Sequence, residues 1–216
     1  MRRAGSRHPD LLDSTGDVIA ERGYAATRFS DVADSTGTSI STLQYLFGSR
    51  DDLLVAALRH RTDEFFAETV EYLEQVHDPK ERLRETVRTF MTVDVDLAQA
   101  RQSWLVWIEY WHTAMRDDEL RKESVTAYAR WRRILHDSID ALVATGAWRA
   151  PAHQREVVDS AVAMIDGYGL QIALGHRVNR AAASDLVLDY LWSSLQPAGS
   201  ELRVRGKRGA VTALRR

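Results

Sequence analysis

Gly37 divides the stretch FSDVADSTGTSISTLQYLF, residues 29–47, into two short apolar runs that cannot be one helix. Val32 and Ala33 precede it, and Leu43, Leu46 and Phe47 follow at helical spacing. The spacing predicts one helix from about Phe29 to Thr36. A second starts after Ser39, a good N-cap, and ends before Gly48. Glycine at 37 supplies the positive φ that a tight turn needs, and Ala33 is small enough for the pair to cross closely. Two helices joined by a short glycine-containing turn make a helix-turn-helix, whose second helix suits the major groove of DNA.

The chemistry of residues 39–50 fits that geometry. Ser39, Ser41 and Thr42 offer short donors and acceptors for phosphate or base edges. Gln44 can pair with adenine in two places, Ile40 can press on a thymine methyl, and Tyr45 can donate to phosphate. Arg50 is expected at the start of the next helix, where its charge and nearby backbone N–H groups could clamp another phosphate.

The remaining pattern is helical, with no useful stretch of strand alternation, so the fold class is all-α with about nine helices. Helix 1 is expected over 10–22, with Gly23 as its stop. Helix 4 starts near Arg50 and runs to about Val76. Asp78-Pro79 restarts the chain as helix 5, to about Ala98. Helices 6 to 9 are expected near 101–115, 117–145, 153–176 and 181–195. This divides the chain into a three-helix DNA-binding domain at 1–50, a ligand-binding and dimerisation domain at 51–196, and a tail at 197–216 expected to be disordered.

Charge refines the division. Net charge is −2 overall, but residues 51–196 carry −7 and the tail +5. Arg2, Arg3, Arg7 and the tail could touch phosphate or simply be solvated ends. There is no cysteine, and no apolar run approaches a membrane span, so no thiolate chemistry and no membrane partner are expected. The basic N-terminus lacks an apolar continuation, which points to a cytoplasmic protein.

Residues 21–54, ERGYAATRFSDVADSTGTSISTLQYLFGSRDDLL, resemble the DNA-binding domain of the TetR family of transcriptional repressors. The likeness rests on Gly23-Tyr24, Thr27, Val32-Ala33, Gly37, Ser39, Thr42-Leu43, Phe47, Ser49-Arg50 and Leu53. It implies a homodimer that binds a palindromic DNA operator, is released by a small-molecule effector and needs no cofactor. It also adds Thr27 to the DNA-binding candidates. Ile40, Gln44, Tyr45 and Arg50 stand where the family usually has Lys, Tyr, His and Lys, so Gln44 is expected to read a base. The segments SWLVWIEYWHTAMRDDELR, TAYARWRRIL and VAMIDGYGLQIALG resemble the C-terminal half of BetI-type regulators, linked to choline and betaine metabolism.

The residues in those segments have their own reading. Trp104, Trp107 and Trp111 share one face of helix 6, and Tyr128 and Trp131 share one face of helix 7. With Phe90 and Tyr168 they are candidate walls of an effector pocket, or else plain core. An aromatic box suits a cation or a flat apolar ligand equally. Gly167 and Gly169 cost helix propensity that close approach by another helix would offset. With Leu186, Leu188, Leu191 and Trp192 on helix 9, they are the expected dimer interface, the alternative being packing within one chain.

Two other function classes remain. Glu74-x-x-His77 and Glu109-x-x-His112 have the ligand spacing of di-iron carboxylate bundles, which would make the chain an oxidoreductase. That spacing arises readily by chance, and Glu74 and His77 fall at a helix end, so no metal and no enzyme activity are expected. A DNA-binding protein with a filled core and no effector is the third class.

Overall fold

Local signals start most of the helices in the computed structural model, which describes residues 8–198. Pro9 begins α1 (Pro9–Arg22), where a missing N–H costs nothing, and Gly23 ends it at φ 81°. In α2 (Phe29–Thr36) the Asp31 carboxylate accepts from the Arg28 backbone N–H at 2.7 Å, and Gly37 closes the helix in the left-handed region at φ 65°. Ser39 caps α3 (Ile40–Phe47) by accepting from the Thr42 backbone N–H at 3.1 Å. Ser49 caps α4 (Arg50–Glu74) in the same way. At about 1.5 Å per residue, α4 is a rod of roughly 37 Å. It therefore leaves the three-helix head and runs deep into the rest of the chain without a break.

Asp78, Asp96 and Asp117 cap α5 (Pro79–Phe90), α6 (Leu97–Ala114) and α7 (Asp118–Ala144). Then come α8 (Gln154–Ala173) and α9 (Arg180–Ser194). Nine helices are present among the described residues, as the hydrophobic period requires.

Several boundaries depart from expectation, among them the start of α6, at Leu97 rather than near 101. Helix 5 stops at Phe90 rather than Ala98. Thr92 turns the chain at φ 51°, and Arg180 donates to the carbonyls of Thr92 and Val95, the latter at 2.8 Å. A cation from far along the sequence thus satisfies carbonyls that a longer helix would have used itself. Gly175 lies past the end of α8 at φ 80°, not in its interior. Two-residue strands β1 (Trp148–Arg149) and β2 (Gln196–Pro197) pair antiparallel, so Pro197 belongs to the fold and not to the tail. The rest of the expected tail, residues 199–216, and the Arg2, Arg3, Arg7 arm lie outside the described residues.

α1 packs on α4, α6 and α2, so the head is seated on two helices of the body. α6 in turn packs on α7 and α8, and α8 on α9. One apolar core joins these layers, from Leu12, Val32 and Leu43 through Leu53 and Leu58 to Trp104, Leu135 and Ile165. Each such side chain contributes about 1.5–3 kcal/mol on burial. Gly16 on α1 admits the stem of Arg61 from α4, whose Cγ lies 3.0 Å from where a Cβ would stand. Among the described residues no helix is long and apolar enough to cross a membrane.

A candidate DNA-reading face and a candidate effector site

Leu43, fully buried against the core that includes Val32, fixes the inner face of α3. The outer face follows from helical period. Ser39, Ile40, Ser41, Thr42, Gln44 and Tyr45 are all exposed, and Tyr45 is 88% exposed. The Ser39 hydroxyl bridges Ser41 Oγ at 2.9 Å and Thr42 Oγ1 at 2.8 Å, so the three hydroxyls form one linked polar row at the helix start.

Two expected contacts take other roles. Thr27 is fully buried, and its hydroxyl donates to the Gly23 carbonyl at 2.8 Å. Arg50 is engaged inside the protein rather than standing free for a phosphate. Its Nε donates to the Thr27 carbonyl at 2.6 Å, Nη2 donates to the Tyr24 carbonyl, and Nη1 pairs with Asp51 at 2.5 Å. The guanidinium also lies 5.1 Å from the Tyr24 ring centre. Arg50 thus staples the turn before α2 to the start of α4.

Six of the seven expected pocket aromatics do come together. Trp131 of α7 is the hub: Phe90 lies 4.2 Å away between ring centres, Trp107 5.6 Å and Trp104 6.4 Å. Trp111 contacts Trp104 and Trp107, and stacks near-parallel on Tyr128 at 6.2 Å. Phe65 and Phe66 of α4, which the sequence reading passed over, complete the cluster against Trp131 and Trp107. Tyr168 makes no ring pair among the described residues and packs half-buried against the core. One residue on, about 100° round the helix, Gly169 meets Trp104 instead; a Cβ there would stand 2.2 Å from the indole.

Two polar groups mark this cluster. The Trp104 indole N–H is buried without a hydrogen-bond partner. On α8, Asp166 accepts from the Tyr128 hydroxyl at 2.9 Å. Burial pushes its carboxyl up to about 6, against the Tyr128 hydrogen bond and the Arg132 charge, which both lower it. An acid inside the apolar run VAMIDGYGL was the signal for it. α6 also reaches the head: Glu109 Oε2 accepts from the Tyr24 backbone N–H at 3.0 Å.

Residues 11–57 match the family model for bacterial regulatory proteins of the tetR family, and residues 79–196 match the BetI-type transcriptional repressor C-terminal domain. The chain belongs to the TetR family. The HTH-type transcriptional regulator BetI of Burkholderia thailandensis is 30% identical over 194 residues, 88% of this chain and 94% of that protein. A transcriptional regulator of Saccharomonospora viridis, solved in complex with choline, is 28% identical with a TM-score of 0.74, over 86% of this chain and 95% of that chain. FadR of Bacillus subtilis, solved with stearoyl-CoA, shares the fold at 20% identity and a TM-score of 0.69, over 88% of this chain and 100% of that chain. The TetR and BetI-type relatives are DNA-binding regulators of transcription, not enzymes, and so is this chain.

The Glu-x-x-His pairs do not converge: Glu74 and His77 are exposed, and Glu109 serves the head. Of the residues expected at a TetR dimer interface, Gly169, Leu188 and Leu191 are buried within the single chain. Trp192 is half-buried against Trp148, 5.4 Å between ring centres. Gly167 and Leu186 face outward. An all-round apolar helix such as α9 cannot declare its inner face until α8 has been placed beside it.

Proposed function

We propose that this chain is a cytoplasmic homodimeric repressor that binds a palindromic operator through α3 and leaves it when a small quaternary ammonium compound binds among α4 to α8. The exposed polar row on α3, held by buried Leu43, carries the reading. Ser39, Ser41, Thr42 and Tyr45 contact phosphate, and Gln44 and Ile40 meet base edges.

Dimerisation supplies the second reading head. The outward stripe of α8, Ala163, Gly167 and Leu170, with Leu174 just past its end, is small or apolar, and Leu186 on α9 is exposed as well. Leu170, Leu174 and Leu186 are 47%, 64% and 55% exposed, which leaves apolar side chains available for pairing. Packed against its symmetry mate, this stripe makes a four-helix interface.

Chemistry supports the effector class. Aromatic faces attract a cation, the Asp166 carboxylate balances its charge, and the unpartnered Trp104 N–H awaits an oxygen. Choline carries both the cation and the oxygen, and the Saccharomonospora viridis protein was solved with it. The rings here are already in mutual contact, so the ligand must spread them. A ligand that favours a spread conformer lowers operator affinity by its coupling free energy. α6 bears three of the rings and holds the Tyr24 turn through Glu109, so its shift reaches the head directly.

Selection of bound DNA from a random pool tests the first part; the expected product is a palindrome with half-site centres one helical turn, about 34 Å, apart or a multiple of it. Choline then tests the second, as loss of that complex. Selection of no palindrome removes the operator reading. A complex and a melting temperature both indifferent to choline leave a DNA-binding protein with a filled core.

A further inference from the structure

α1 and α4 meet at a cluster that the DNA and effector sites do not use. Asp13 comes from α1, and His60 and Glu64 come from one face of α4, one turn apart. Their ligating atoms all lie within 4.8 Å of one another, and all three side chains are half-buried. They are the one such group among the described residues. Asp13 Oδ1 and His60 Nε2 are 3.3 Å apart, yet each is shielded from solvent and neither has a hydrogen-bond partner. Leaving two such atoms unsatisfied is costly, so a native arrangement of this kind calls for an explanation.

The separation supplies one. Two donors about 2.1 Å from one ion, at a tetrahedral angle, stand roughly 3.4 Å apart. The atoms are thus spaced as neighbouring ligands of a single ion rather than as a directed hydrogen bond. An imidazole with two carboxylates is a nitrogen and oxygen set that suits Zn2+ and its neighbours better than Mg2+. Arg61 is the competing cation: its Nη1 lies 3.5 Å from Asp13 Oδ1. Its Nη2 is held by Asp17 at 2.8 Å, so the guanidinium keeps a partner when Asp13 turns to an ion. Glu64 also lines a surface groove with Arg61, Glu68, Ser103 and Trp107, so its side of the cluster opens to solvent.

We propose that Asp13, His60 and Glu64 form a binding site for a divalent transition ion of the Zn2+ class, completed by water, at the joint between α1 and α4. Such an ion ties the first helix of the head to the long helix that carries it. Any consequence for operator affinity rests on the function proposed above; ion binding itself does not.

The test is titration of the full chain with Zn2+ against a chromophoric chelator, with Mg2+ in parallel. One Zn2+ per chain is expected, with no competition from Mg2+. Loss of a metal-orienting residue alone weakens binding by about 10- to 100-fold. Loss of a direct ligand in His60→Gln or Glu64→Gln should therefore weaken it by at least about tenfold, in a protein whose helical circular dichroism is unchanged. Two variants guard against one failing to fold. A wild-type chain that takes up no Zn2+ overturns the site, as does one whose affinity is the same in both variants, since the other histidines would then be holding the ion. A Zn2+ site lost in the variants but without effect on operator binding retains the metal site and removes only its regulatory consequence.

Discussion

Gly169 and Asp166 are three residues apart on α8, and both are explained by the ring cluster they face. Adding a methyl at Gly169 places it 2.2 Å from the Trp104 indole, a distance no side chain sustains. Gly169→Ala gains helix propensity of about 1 kcal/mol but must displace a buried indole. Overpacking of this kind costs about 1–3 kcal/mol, and more where a ring cannot turn. Net destabilisation in urea denaturation is the expected outcome; a more stable variant would show that α8 and α6 are not in this contact. Asp166 makes the opposite case. Its folded pKa, about 6, lies above the ordinary 3.8, so the native state holds the proton more tightly than the unfolded chain. That contribution is complete below pH 4 and is lost as pH rises through 6. Asp166→Asn keeps an acceptor for Tyr128 and has no such loss. The stability of the variant relative to wild type should therefore climb between pH 4 and pH 7, by up to about 3 kcal/mol. A flat difference across that range would place the carboxylate in water. By the proposed function, the same variant binds choline more weakly at pH 7.

Helices α2 and α3 could be read almost to the residue because their ends are written locally. Gly37 and Gly48 take positive φ, and Ser39 and Ser49 cap the next helices with their own side chains. The end of α5 has no local mark: Thr92 is not a glycine, and the arginine that stabilises its turn is 88 residues away. Function divides the same way. The α3 face was evident from period and side-chain type, whereas Thr27 and Arg50 look identical in sequence whether they meet phosphate or backbone carbonyls. Glu109 shows the cost of reading spacing alone. Its distance to His112 suggested a metal, but α6 uses it to hold the Tyr24 N–H. That contact predicts a separation of two quantities. Glu109→Ala should leave choline affinity, measured by calorimetry, within about twofold, because the residue is outside the ring cluster. The choline effect on operator affinity should shrink, from a coupling of about 5- to 150-fold toward none. Equal coupling in variant and wild type would route the signal through α4 alone.

In the function proposed above, repression requires two heads on one duplex, so the assembly decides whether the other parts act together. The outward stripe of α8 is ordered by residue size: Ala163 and Gly167 lie one turn apart at its centre, with Leu170 and Leu174 beyond. Among the described residues no side chain comes within 4 Å of a Cβ at Gly167, so they leave that position open. A larger residue there therefore separates folding from pairing. Gly167→Leu should raise the helical stability of a single chain slightly, since glycine costs about 1 kcal/mol in a helix interior. If two copies of α8 approach closely at Gly167, the same leucine holds them apart. Sedimentation at micromolar concentration should then find the wild type dimeric and the variant largely monomeric, with unchanged helical content. Operator affinity should fall with it, because each head alone makes only half the phosphate contacts. A variant that stays dimeric would move the interface off this stripe, and one that is monomeric yet binds the palindrome undiminished would remove the need for paired heads.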